Sequence, residues 1–179
     1  MATTAAGTPY VESSDLVANY PGVSLALANH IDTLGKVLQV VRATDTTNRS
    51  TTSTSFVDAT GMTVTITPSH VDNTVILIAT GYLLVNGDSG TGSRAILQIT
   101  NASNTEVSGA QGMTIGTYRY SYGTSPILDQ SLFLMGQASP ATVSAVTYKL
   151  RWKVQESGNL TELVNNSNTG QMFAIEVAA

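Results

Sequence analysis

Gly61-Met62-Thr63-Val64-Thr65-Ile66-Thr67 alternates apolar and hydroxyl-bearing side chains after its opening glycine. Successive side chains of a strand point to opposite faces, so Met62, Val64 and Ile66 share one side and the threonines the other, as in a half-buried strand. Pro68 ends it. The next segment, Thr74 to Val85 (TVILIATGYLLV), is nearly continuously apolar and predicts a central strand covered on both faces. A glycine-rich tip from Asn86 to Ser93 then turns the chain back into Arg94 to Asn101.

Upstream, Lys36 to Thr44 (KVLQVVRAT) reads as a first strand, Asp45 to Thr54 as a polar loop, and Ser55 to Thr60 as a short strand leading into Gly61 to Thr67. Downstream, strand patterns fall at Glu106 to Met113, Thr117 to Tyr122, Asp129 to Gly136, Val143 to Gln155, Thr161 to Val164 and Gly170 to Val177. Short strands separated by recurrent turn signals predict an all-β fold, an antiparallel β-sandwich of jelly-roll type.

Composition points the same way. Ser and Thr make up about a quarter of the 179 residues, whereas charged residues are only 11%. The absence of cysteine excludes disulfides, thiolate metal sites and thiol nucleophiles. A net charge of −4 with few basic residues argues against nucleic acid as a partner. The longest apolar run, Val75 to Val85, is too short to span a bilayer, and Met1 to Gly7 has neither the basic nor the apolar part of a signal peptide, so no membrane insertion is expected.

The stretch before Gly35 is different in character, which divides the chain into an N-terminal helical arm, residues 1–35, and a β-sandwich head, residues 36–179. Ser13 or Ser14 can cap a turn through Asp15, Leu16 and Val17, which Pro21-Gly22 breaks. Val23, Leu27, Ile31 and Leu34 then recur at four, four and three residues, on one face of a second helix stopped by Gly35. At about a dozen residues this helix needs a partner for its stripe, either its own β domain or copies of itself in an oligomer.

No constellation for catalysis emerges. His30 and His70 stand in no metal-ligand spacing, no GxSxG elbow is present, and the twelve acidic residues are scattered singly. The run Gly87 to Ser93 lacks the Gly-Lys-Ser/Thr ending that grips phosphate and reads as a hairpin tip, with Asp88 a weak calcium ligand at most. The chain is therefore expected to be non-enzymatic, with no catalytic residue, no metal and no cofactor.

Two stripes are candidates for binding. In Thr117 to Tyr122, Tyr118, Tyr120 and Tyr122 would share one strand face with Arg119 opposite, serving either as packing or as a platform on which sugars stack. In Val146 to Val154, Val146, Tyr148, Leu150, Trp152 and Val154 point one way, while Lys149, Arg151 and Lys153 point the other. That basic face either meets anionic glycans or is a solvated or salt-bridged exterior.

The run Lys36 to Thr44, the segment Ser50 to Pro68 (STTSTSFVDATGMTVTITP), Ser139-Pro140-Ala141-Thr142 and the ending Asn168 to Val177 (NTGQMFAIEV) resemble the β domain of tail-fibre and minor tail proteins of tailed bacteriophages. Thr8 to Asp32 is similar to a leader that often precedes such domains. The resemblance implies a homotrimeric virion structural protein, made in the host cytoplasm, attached through the arm and displayed on the particle surface. Other virion proteins, of tail or capsid, and a host cell-surface glycan are its implied partners. Host adhesion by a tail-fibre or minor tail protein is the role it favours. The lack of a shaft or long coiled coil between arm and head leaves capsid decoration, a cement or head-fibre role, as the alternative.

Overall fold

A computed structural model describes residues 2–3, 9–10, 22, 24–27, 37–87, 92–117 and 127–179, in two units, Met1–Lys36 and Val37–Ala179. In the first unit, β1 (Ala2–Thr3) pairs antiparallel with β2 (Pro9–Tyr10), and residues 24–27 form a helical turn with Leu25 exposed and Leu27 half-buried. The turn expected at Asp15 to Val17, and the stripe residues Val23, Ile31 and Leu34, lie outside the described residues.

The second unit is built from β3 (Val37–Asp45), β4 (Arg49–Thr51), β5 (Val57–Ile66), β6 (Thr74–Asn86), β7 (Ser93–Asn101), β8 (Met113–Thr117), β9 (Ile127–Ala138), β10 (Val146–Val154), β11 (Leu160–Leu163) and β12 (Gly170–Val177). One antiparallel sheet runs β5-β10-β7-β8. The other runs β3-β12-β6-β9, with β11 and then β4 continuing along the far half of β6. The pairs β3/β12, β4/β11, β5/β10, β6/β9 and β7/β8 nest inside one another along the chain. The head is thus one long hairpin rolled into two facing sheets, a jelly-roll sandwich.

Between the sheets lies one core. β5 contributes Met62, Val64 and Ile66, β7 Ala95, Leu97 and Ile99, and β10 Tyr148, Leu150 and Trp152. Facing them are Val75, Leu77, Ala79, Leu83 and Val85 of β6, Leu132 and Leu134 of β9, and Met172 and Ala174 of β12. Each fully buried side chain of this size contributes on the order of 2 kcal/mol by leaving water.

Four sequence expectations need correction. The polar loop Asp45 to Thr54 contains β4, because Arg49 to Thr51 pairs with β11. Glu106 to Met113 is not a strand before Met113. It makes two isolated bridges, Thr100 with Glu106 and Ser108 with Gln137, then turns through Gly109 and Gly112 at φ of 82° and 56°. Ser55 to Thr60 and Gly61 to Thr67 are not separate strands but two halves of β5 around a bulge. Finally, among the described residues β6 is fully covered on one face only, since Ile76, Ile78, Tyr82 and Leu84 on its other face are half-buried.

The β5 bulge flips the inward phase, from Ala59 before it to Met62, Val64 and Ile66 after it. Opposite, Lys149 of β10 pairs with Thr63 and Arg151 with Asp58. Gly61 takes φ +91° here, and a Cβ on it would stand 2.6 Å from Asp45 Oδ2.

Two buried carboxylates fasten the edges of the larger sheet. Asp45 accepts from Arg49 Nε (3.0 Å) and Nη2 (3.2 Å), Thr47 N–H (3.1 Å) and Asn165 Nδ2 (3.2 Å), tying β3 to the helical turn Asn165–Asn168. Burial raises its pKa, but these donors outweigh burial and leave it below the usual carboxylate value. Glu176 of β12 is fully buried, and no cation is among its partners in the described residues. Its Oε1 accepts from Ser69 N–H (2.7 Å), Ser69 Oγ–H (2.8 Å) and Asn73 Nδ2 (2.6 Å), and its Oε2 from Gln39 Nε2 (2.6 Å). Here too burial opposes ionisation and the donors win, holding the carboxyl at about 2.

Candidate functional site

Three surfaces of the head are candidates for binding, beginning with the residues that the sequence singled out. Lys149 and Arg151 lie on the outward side of β10 and share one carboxylate. Lys149 Nζ is 2.8 Å from Asp58 Oδ2, Arg151 Nε 2.9 Å from Oδ1, and Arg151 Nη2 donates to the Phe56 carbonyl at 2.7 Å. The hydrogen bond from Lys149, against burial and with further help from Arg151, holds Asp58 below the usual carboxylate range. Lys153 sits over the Phe56 ring, 4.9 Å from its centroid. The stripe is a cross-strand network pinning β10 to the start of β5, with much of its charge engaged. Tyr118, Arg119, Tyr120 and Tyr122 lie outside the described residues, as do His30 and Asp88. His70 is exposed beside Asp72. Among the described residues no three His, Asp or Glu side chains converge as metal ligands, and no helix is long and apolar enough to cross a membrane.

The second surface is the outward face of β3-β12-β6-β9. Strand register places Val40, Ile175 and Ile76 in one row, and Arg42, Phe173, Ile78 and Met135 in the next. Val40 is 57% exposed, Met135 52% and Phe133 59%, with Phe173, Ile175, Ile76 and Ile78 half-buried between them. Arg42 and Asp129 are the charged residues on the outward face of these four strands, one on β3 and one on β9. Arg42 is engaged within the sheet, donating through Nε to Gln171 Oε1 at 2.9 Å and lying 5.9 Å from the Phe173 ring centroid. A hollow of about 290 Å³ beside Ile76 and Met135, walled by Ser108 and Gly109, indents this face.

The third surface is a cleft of about 360 Å³ between residues 101–108, the end of β9 and the start of β10. Its frame is backbone hydrogen bonding. Val107 N–H donates to Ile99 O (2.9 Å), Asn101 N–H to Thr105 O (2.9 Å) and Gln137 N–H to Ser108 O (2.8 Å), while the Asn101 side chain accepts from Thr105 N–H (2.9 Å). Gly136 lets this segment lie against β9, since a Cβ there would meet Ala110 Cβ and Ser108 O at 2.8 Å. At the cleft wall, Tyr148 is 3% exposed, and burial pushes its pKa up. Its hydroxyl has no hydrogen-bond partner among the described residues. Little in the sequence marks this cleft. The one clue is a phenol in the inward phase of β10 between Val146 and Leu150, and the 101–108 segment that completes the wall has no periodicity to read.

No protein-family model matches the chain, and no curated protein matches it. Among solved structures, it is similar to a structure of infectious bursal disease virus, Gx strain, at 15% identity and TM-score 0.27, covering 81% of this chain and 37% of that one. A VP2 subviral particle of that virus gives 13% identity and TM-score 0.24, with 81% and 40% covered. This chain spans less than half the length of those chains, and superposition at this level carries no argument about function.

Proposed function

We propose that the protein is a non-enzymatic structural component of a tailed-phage virion, displayed on the particle surface as a homotrimer and acting in host adhesion as a tail-fibre or minor tail protein. The phage setting and the number three come from the resemblance of Lys36 to Thr44, Ser50 to Pro68 and the C-terminal strand. Self-association is supported by one observation, the apolar outward face of β3-β12-β6-β9. Exposed patches of this kind mark interaction sites, and a folded monomer gains nothing from leaving Phe133 and Met135 in water. The occupant that fits is a second copy. The face is neutral overall, and its two charges are opposite in sign on strands that form opposite edges, so a rotational arrangement can bring the Arg42 edge of one copy toward the Asp129 edge of the next.

Gold-labelled antibody on intact particles tests the placement. Label at the tail is the expected result, label over the shell would move the protein to the capsid-decoration role, and particles without label would overturn the virion assignment.

A further inference from the structure

We infer that the cleft between residues 101–108, the end of β9 and the start of β10 is a binding site for a neutral, hydroxyl-rich ligand, a sugar ring of a glycan. Its biological purpose rests on the adhesin reading, but binding itself is a property of the isolated chain.

The cleft's lining excludes several ligand classes. Among the described residues it contains no Lys, Arg or His, and the one charge there is the carboxylate of Glu106, which has no ion-pair partner among them. An anionic ligand would lose hydration there, meet the Glu106 carboxylate and find no cation among the described residues to offset it. A metal ion is equally poorly served, because no second acidic side chain or histidine joins Glu106. The rest of the lining, hydroxyl, amide and aliphatic, suits a neutral polar molecule. Glu106, Ser108, Gln137, Ser139 and Tyr148 present carboxylate, amide and hydroxyl groups, while Val107, Pro140 and Val146 add apolar surface. That mixture matches a pyranose, whose vicinal hydroxyls can donate to a carboxylate while its C–H face packs on aliphatic carbon. The volume, about 360 Å³, lies at the small end of ligand clefts.

Two features show that the site is built in advance of a ligand. The wall is fixed by the backbone hydrogen bonds of residues 99–110, so little ordering entropy is left to lose on binding. The Tyr148 ring is held in the core at the cleft wall, and its hydroxyl bonds to none of the described residues, which leaves it available to a ligand in the cleft.

The test uses ¹⁵N-labelled full-length protein titrated with methyl glycosides of glucose, galactose and mannose, and with glucuronic and galacturonic acids. At least one neutral glycoside should shift amides of residues 101–108 and 137–139, with the uronic acids weaker. Tyr148→Phe should leave the melting temperature unchanged or raised while weakening that glycoside about tenfold, and Glu106→Gln should weaken it similarly. Shifts confined to other residues, uronic acids binding as tightly as neutral sugars, no response to any neutral glycoside, or wild-type affinity in both variants would each overturn the site. None of these outcomes bears on where the protein sits in a particle, which the antibody labelling reads separately.

Discussion

Glu176 places a single carboxylate in the inward phase of β12, alongside Met172 and Ala174, and neutral donors alone stabilise its charge. With the folded pKa near 2 and the ordinary value at 4.5, the stabilisation is complete above pH 4.5 and is lost as pH falls from there toward 2. Urea midpoints should therefore decline on acidification through that window, and Glu176→Gln should flatten this decline while lowering the midpoint at neutral pH. The loss at neutral pH follows because a Gln Nε2 would face the Gln39 Nε2 that already donates to Thr67 O at 2.7 Å. An unchanged midpoint in the variant at pH 7 would contradict this account. The alternation of Gly170 to Val177 already puts Glu176 in the core phase. Its donors were not legible, since Gln39, Ser69 and Asn73 are brought to it only by the pairing of β3, β12 and β6.

Element by element, the sequence was readable where periodicity is strict and opaque where a strand depends on its partner. β6, β7, β10 and β12 follow from alternation or continuous apolar runs. β4 does not, because Arg49-Ser50-Thr51 has no apolar phase and becomes a strand only by lying along β11. Residues 106–112 failed in the opposite sense, since Val107 and Ala110 are buried through a turn rather than through a strand. The bulge in β5 is the instructive case: Gly61 starts a new alternating phase, which resembles the start of a new strand. Gly61→Ala places a Cβ against the Asp45 carboxylate in a left-handed conformation, and should cost about 2 kcal/mol in chemical denaturation, whereas Thr63→Ala, on the exposed face two residues on, should stay within about 0.5 kcal/mol. Equal effects at the two positions would show that the bulge carries no special constraint.

For the whole molecule, the nested pairing of strands explains why residues far apart in sequence share one core, and why both faces of the larger sheet are apolar while only one is buried. The near-continuous hydrophobicity of Thr74 to Val85 reads as a strand covered on both faces, but among the described residues only the inward cover is supplied. The cleft was the least legible feature, because its walls come from β9, β10 and an irregular segment that no pattern marks. In the proposed trimer, copies of the chain provide the second cover, with Phe133 and Met135 buried between them. Light scattering on the full-length protein at micromolar concentration, compared with a Phe133→Glu, Met135→Glu double variant, tests this most directly. The wild type should have three times the chain mass, and the variant, whose changes fall on exposed positions, should have the mass of one chain with an unchanged β-sheet circular dichroism spectrum. A monomeric wild type, or a folded double variant that is still trimeric, would contradict it.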